Sequence, residues 1–173
     1  MSKSKFIGEA GEHFVAYKLA QKQYYVGLTL GNMPDVDLLL SSHSGLKTIS
    51  IQVKTSGWAY RRNRYGSEGY EWDVNTSVIG RHSTTFWYLF VDLKGEQSEP
   101  DVYVVPSKWV ADFVKPSFSR KLFFLPKGAA DITRNRWDIL ERIFQEDEEI
   151  LKWATTWDHE NLVRWGPKSE QSN

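Results

Sequence analysis

Six consecutive large apolar residues, Phe86-Trp87-Tyr88-Leu89-Phe90-Val91, constrain this chain more than any other feature. A strand with one wet face alternates apolar and polar side chains; a strand that does not alternate must be covered on both faces. The run therefore predicts a central strand with a layer above and a layer below. Val102-Tyr103-Val104-Val105 is a second apolar run, stopped by Pro106. Thr48 to Lys54 alternates strictly: Ile49, Ile51 and Val53 share one face, and Ser50, Gln52 and Lys54 share the other. Asp37-Leu38-Leu39-Leu40, after Pro34, reads as a short buried strand joined to it through a turn at Ser44-Gly45. Tyr24 to Leu30 is β-prone and ends at Gly31-Asn32. Phe6 to Lys22 reads as an amphipathic helix, with Val15 and Leu19 four apart and Ala16 and Ala20 beside them. Ser107 is placed to cap a short helix ending at Phe113. Leu122 to Leu125 reads as an edge strand, and Trp137, Leu140, Ile143, Phe144 and Leu151 keep helical spacing. Gly57 to Ser83 shows no dominant period and reads as a long loop with a turn of helix near Asn75 to Ile79. Helix, strands, helix defines a mixed α/β domain.

The 173 residues suit one domain with a tail. The expected boundaries are a core over 1–130, a helical extension over 131–165 packed on it, and a polar tail over 166–173. Having no cysteine rules out disulfides, thiolate zinc sites and a cysteine nucleophile. No signal peptide and no apolar stretch of about 18 residues stands out, so a soluble, cytoplasmic protein without a membrane partner is expected. His13, His43, His82 and His159 lack zinc spacing, and neither a serine-nucleophile elbow nor a phosphate-cradling glycine loop is present. The 22 basic and 22 acidic side chains cancel, but they are segregated. Leu38 to Ser67 holds Lys47, Lys54, Arg61, Arg62 and Arg64 and no acid, while Glu141 to Glu160 is mainly acidic. Segregated charge is what a polyanion-binding surface on a neutral protein requires; the plainer reading is two solvated faces.

Gln52 and Lys54, two apart on a strand, leave one face about 7 Å from each other. Asp37 opens the preceding strand of the hairpin and can sit beside them. Glu12 precedes Val15, Ala16 and Leu19 by three, four and seven residues, which puts it on the helix stripe facing the sheet. A carboxylate there is costly unless paired or metal-bound. Asp37, Gln52 and Glu12 together make a hard oxygen set suited to Mg²⁺ or Mn²⁺, with Lys54 available to a phosphate or an attacking water. The competing readings are an exposed polar sheet face for Gln52 and Lys54, turn chemistry after proline for Asp35 and Asp37, and a dipole-favoured helix start for Glu12. Trp58-Ala59-Tyr60-Arg61-Arg62-Asn63-Arg64-Tyr65 interleaves arginines with aromatics, as phosphate contact and base stacking need. Trp58, Arg61, Arg62 and Arg64 are thus nucleic-acid candidates, against a solvated loop whose Trp58 and Tyr60 fill the core.

Gly11-Glu12, then Pro34-Asp35-Val36-Asp37-Leu38-Leu39-Leu40, then Ile51-Gln52-Val53-Lys54-Thr55 resembles the PD-(D/E)xK nuclease superfamily, in particular its Holliday-junction-resolvase-like and restriction-endonuclease-like members. The resemblance covers Gly8 to Ser56, with support from the apolar strands through Val105. It implies a restriction-endonuclease-like core, a mixed central sheet flanked by helices, and Mg²⁺-dependent hydrolysis of phosphodiester bonds in duplex or branched DNA. It makes Asp37 the central metal ligand, or Asp35 if the register shifts by two. Gln52 takes the acidic position, Lys54 is the motif lysine and Glu12 the helix glutamate, with Glu9 competing. Gln52 departs from the usual Asp or Glu; an amide oxygen can ligate Mg²⁺ without bringing charge, which suits one metal ion better than two. The family also implies a crossover helix after the lysine strand. Two functions follow: a metal-dependent endonuclease, or a catalytically degenerate module of the same fold that binds nucleic acid or a protein partner. A third is an oligomeric interaction protein using Trp137, Trp153, Trp157 and Trp165, which read first as packing residues. Cutting both strands would call for a two-fold homodimer.

Overall fold

The computed structural model describes residues 3–29, 35–117 and 120–156. Helix α1 (Lys3–Gln21) turns a stripe of Gly11, Val15 and Leu19 inward. Strands β1 (Tyr25–Leu28), β2 (Leu38–Ser41) and β3 (Thr48–Ser56) follow, then β4 (Tyr60–Arg64), β5 (Ser67–Asp73), β6 (Phe86–Asp92) and β7 (Asp101–Pro106). Helix α2 (Ser107–Phe113), strand β8 (Leu122–Pro126) and helices α3 (Lys127–Thr133), α4 (Asp138–Phe144) and α5 (Glu148–Thr155) complete the described chain. Five strands form a mixed sheet in the order β1-β2-β3-β6-β7, parallel between β3 and β6 and antiparallel elsewhere. The other three form an antiparallel sheet, β4-β5-β8.

Every residue of β6 is buried, as its unbroken apolar run requires. Its register with β3 sorts the two faces. Ile51 lies opposite Trp87, Val53 opposite Leu89 and Thr55 opposite Val91; Gln52 lies opposite Tyr88 and Lys54 opposite Phe90. The odd-numbered face is covered by helices. Gly11 of α1 presses so closely on Thr55 that a Cβ there would overlap its Oγ1, and Trp153 of α5 stacks near Trp87 and edge-on against Trp109. The even-numbered face is covered by the three-stranded sheet, whose Trp72 and Phe123 rings each sit 4.9 Å from Phe90. One continuous core runs from Val15 to Ala154.

Four expectations are corrected. Gly57 to Ser83 is not a loop: β4 and β5 are joined at Tyr65-Gly66, both with positive φ (52° and 77°), the type I′ geometry whose twist suits a two-residue hairpin. The crossover between parallel β3 and β6 is therefore this hairpin and a 3₁₀ turn at Thr76–Val78, where a turn of helix was expected near Asn75 to Ile79, rather than a full helix, because the hairpin supplies the second cover that β6 needs. Ser107 does not cap α2. Pro106 holds that position, and the buried Ser107 hydroxyl donates to the Ser83 carbonyl and accepts from the Ser83 N–H, each at 3.0 Å. The helical spacing after Trp137 is split into α4 and α5 at Glu146 (φ 58°), and Asp147 caps α5 by accepting from the Glu149 and Ile150 N–H groups. Trp153 is buried and Trp137 half-buried. Pro34, the Gly31-Asn32 turn, Trp157, Trp165, His159 and the tail over 166–173 lie outside the described residues. Among those described, no helix is long and apolar enough to cross a membrane.

Candidate active site

The site begins where β2 stops pairing with β3. The Asp37 N–H donates to the Ile51 carbonyl at 2.9 Å, while Leu38 is also registered on Ile51, so two residues share one partner as at a β-bulge. The next inward-pointing donor of β3, the Val53 N–H, then has no β2 carbonyl to meet. It donates instead to Asp37 Oδ2 at 2.7 Å. The carboxylate thus replaces a ladder bond and is fixed beside β3 at the residue between Gln52 and Lys54. Its backbone is held as well, since the Asp37 carbonyl accepts from the Thr29 N–H at 3.0 Å.

Gln52 is 3% exposed, and its Oε1 is buried without a hydrogen-bond partner. Lys54 and Glu12 are half-buried, and neither forms an ion pair or side-chain hydrogen bond among the described residues. Glu12 comes from α1, on the helical side of the sheet, and lies near enough to Asp37 and Lys54 to feel both. Burial pushes its carboxyl up from the ordinary range and the Asp37 charge adds to this, with His13 and Lys54 opposing. Burial likewise pushes Asp37 up, against the Val53 N–H and Lys54. Two carboxylates, one ammonium and an unpaired amide oxygen leave this corner short of positive charge.

No three His, Cys, Asp or Glu side chains among the described residues cluster as a metal centre. The two carboxylates and the orphaned amide oxygen nevertheless fit a hard, oxygen-preferring divalent cation in their donor chemistry. Asp35 is committed elsewhere. It sits in the left-handed region (φ 69°) and takes hydrogen bonds from Arg81 at 2.7 Å and Ser77 at 2.8 Å, which hold the turn from which Asp37 emerges. Glu9 faces solvent with Lys5 at 3.9 Å.

The arginine segment is β4, the edge of the small sheet. Arg64 and Arg61 direct their Nε groups at the buried carboxylate of Glu71 on β5, at 2.7 and 3.5 Å. Arg61 also donates to the Trp58 and Tyr60 carbonyls. Arg62 is exposed and has no side-chain partner among the described residues. Trp58 is 49% exposed, with its ring beside Gly95. The structure therefore brings Glu12, Asp37 and Lys54 within electrostatic reach of one another, places Gln52 next to Val53, whose N–H holds the Asp37 carboxylate, and leaves Arg62 and Trp58 open to solvent, while Arg61 and Arg64 are partly neutralised. Sequence reasoning missed Tyr88, which lies opposite Gln52 with its hydroxyl buried and unpaired. The available signal was a phenol inside a strand that had to be covered on both faces.

No protein-family profile matches the chain, and no curated protein sequence matches it. Among solved structures, the chain is similar to one described as a bacterial homing endonuclease, I-Ssp6803I, with a TM-score of 0.55 at 18% identity, over 86% of this chain and 99% of that one. At that identity the likeness is one of fold: this chain has a mixed α/β fold of the kind an endonuclease uses.

Proposed function

We propose that this protein is a nuclease of the PD-(D/E)xK type that hydrolyses phosphodiester bonds in DNA, with Mg²⁺ or Mn²⁺ held by Asp37, Gln52 and Glu12. The observation that carries the reading is the buried, unpaired Oε1 of Gln52 on the residue before Val53, whose N–H anchors the Asp37 carboxylate. A polar atom buried without a partner costs about 1–3 kcal/mol, and an oxygen ligand to a cation recovers that cost. The cation, when bound, polarises the phosphate and lowers the pKa of a bound water. Lys54 is the group that neutralises charge building on the phosphate, through an ammonium that forms no ion pair or hydrogen bond among the described residues. Asp37 stays aimed because the Val53 N–H and Thr29 fix both ends of the residue. Arg62 and Trp58 contact the DNA backbone and bases, and a two-fold pair of chains cuts the two strands. The endonuclease description of the structural neighbour agrees with this reading.

The test is cleavage of supercoiled plasmid and of four-way branched DNA with Mg²⁺ or Mn²⁺, comparing the parent with Asp37→Ala and Lys54→Ala. Cutting by the parent and loss in both variants is expected. Absence of cutting by the parent, or equal cutting by the variants, overturns the proposal. A binding module of the same fold would instead retain DNA in a salt-sensitive, metal-independent way.

A further inference from the structure

Tyr88 is 1% exposed and lies opposite Gln52 across the parallel β3–β6 pair, so both side chains leave the same face of the sheet. Its hydroxyl is buried without a hydrogen-bond partner, and so is the Gln52 amide oxygen. Neither satisfies the other. The rest of this face of β6 is aromatic and apolar: Phe86 and Phe90 hold the Tyr88 ring from either side, with centroids at 5.1 and 5.5 Å. Phenylalanine at 88 would continue that row and remove an oxygen whose unpaired burial costs about 1–3 kcal/mol. The hydroxyl therefore stands where packing does not ask for it, on the residue opposite Gln52, which carries a second unpaired polar atom.

We propose that Tyr88 is a positioning residue of the cation site, its hydroxyl donating a hydrogen bond to an oxygen (a water or a phosphate oxygen) in the shell of the ion held by Asp37 and Gln52. The inference rests on the nuclease reading. Burial keeps the phenol protonated, and of the nearby charges Arg81 opposes this while Asp35 and Asp37 reinforce it. A protonated phenol is a donor that does not compete for the cation. Its ring is clamped by two neighbours, and the Arg81 guanidinium lies over one of them, Phe86, at 5.0 Å. The position of the hydroxyl oxygen is therefore set before any ligand arrives, as outer-shell partners of a metal site require, and its O–H rotates to meet the acceptor.

Tyr88→Phe in the full chain tests this, with Mn²⁺ binding followed by calorimetry, thermal unfolding in EDTA, and plasmid cleavage. The expected result is a Tm equal to or above the parent's, Mn²⁺ affinity about tenfold weaker, and slower cutting. Unchanged affinity and cutting overturn the inference, and so does a lowered Tm with affinity intact, which is the mark of a packing role. If the parent neither binds Mn²⁺ nor cuts, the nuclease reading fails and takes this inference with it. If the parent does both and Tyr88→Phe matches it, only this inference falls.

Discussion

Gly11→Ala probes the contact that sets the distance from α1 to the sheet, and with it the reach of Glu12. The new Cβ would overlap Thr55 Oγ1 and stand 2.8 Å from both Thr55 Cβ and Cγ2. Rotating Thr55 exchanges Oγ1 for Cγ2 but leaves its Cβ in place, so the side chain cannot step aside. Carbon atoms in contact prefer about 3.5–4.0 Å, so the helix must retreat by roughly 1 Å. Overpacking of this kind costs about 1–3 kcal/mol. Alanine returns about 1 kcal/mol through its better helix propensity. The upper half of the cost range applies because three atoms of one β-branched residue are involved, which leaves a net loss of about 1–2 kcal/mol. Thr55→Ala removes Oγ1 and Cγ2 but not Cβ, so it should recover about half of that loss in the double variant. Its own cost is small because Thr55 Oγ1 has no hydrogen-bond partner to lose. Urea unfolding of the parent, both singles and the double measures the cycle. Cleavage should fall further than stability, since a displacement of about 1 Å at a site residue can cost on the order of a hundredfold in rate. A Gly11→Ala protein as stable and as active as the parent would refute the argument that this contact seats Glu12.

The raised carboxyls give a pH dependence. Glu12 and Asp37 hold their protons more tightly when folded, so their contribution is fully present below their ordinary values, 4.5 and 3.8, and is lost as pH rises through the raised ones. In EDTA, Glu12→Gln should therefore gain stability relative to the parent as pH rises above 4.5; a urea midpoint difference that stays flat there would refute this. Added Mn²⁺ should raise the parent's Tm at pH 7 and leave that of Asp37→Asn unmoved. Arg62→Ala should weaken DNA retention with stability unchanged, whereas Arg64→Ala should cost about 1 kcal/mol by depriving the buried Glu71 of a partner; filter binding and urea unfolding separate the two effects. Asp92→Ala should cost about 2–4 kcal/mol, because Asp92 Oδ1 accepts from the Ala59 and Lys94 N–H groups, each at 3.0 Å in a buried setting.

What the chain spells out locally was legible: α1, β2, β3, β6 and β7 all follow from period or its absence. The β4–β5 hairpin was not, because its edge strand Tyr60–Arg64 is polar and its turn places a tyrosine, not the usual asparagine or aspartate, at positive φ. Missing that hairpin hid the register that brings Glu71 under Arg61 and Arg64, so three arginines looked equally free when one is. The acidic stretch misled in the same way. Arg142 is paired with Asp147 and Glu149, Glu146 with Lys47, and Glu141 accepts from Tyr24 at 2.7 Å; much of that charge serves to fasten α4 and α5. Strand parity and helix period fixed the faces of Gln52, Lys54 and Glu12 in the sequence, and the proximity of Glu12, Asp37 and Lys54 follows from the folded chain. Tyr88 was not, since only the register between β3 and β6 puts it opposite Gln52.

That register also explains why the polar residues of β3 are tolerated. The parity that sends Ile51, Val53 and Thr55 under α1 sends Gln52 and Lys54 into a face roofed by Trp72 and Phe123, and a one-residue slip would exchange the two sets. A roofed aromatic face is a poor place for an amide, a phenol and an ammonium unless they serve a ligand, because charges and dipoles act over longer range where water is excluded. Most buried polar groups here are satisfied with care: Asp92 takes two backbone donors and Ser107 both gives and takes a hydrogen bond. Buried atoms without a hydrogen-bond partner also occur at Thr55, Tyr103 and Trp153; what sets Gln52 and Tyr88 apart is that they lie opposite each other on adjacent strands, near a carboxylate, Asp37, that burial pushes toward its protonated form, and departures from folding consistency concentrate at functional sites. Under the proposed function, a divalent cation would add positive charge beside Asp37, Glu12 and the Gln52 oxygen, and a phosphodiester would give Lys54 an acceptor.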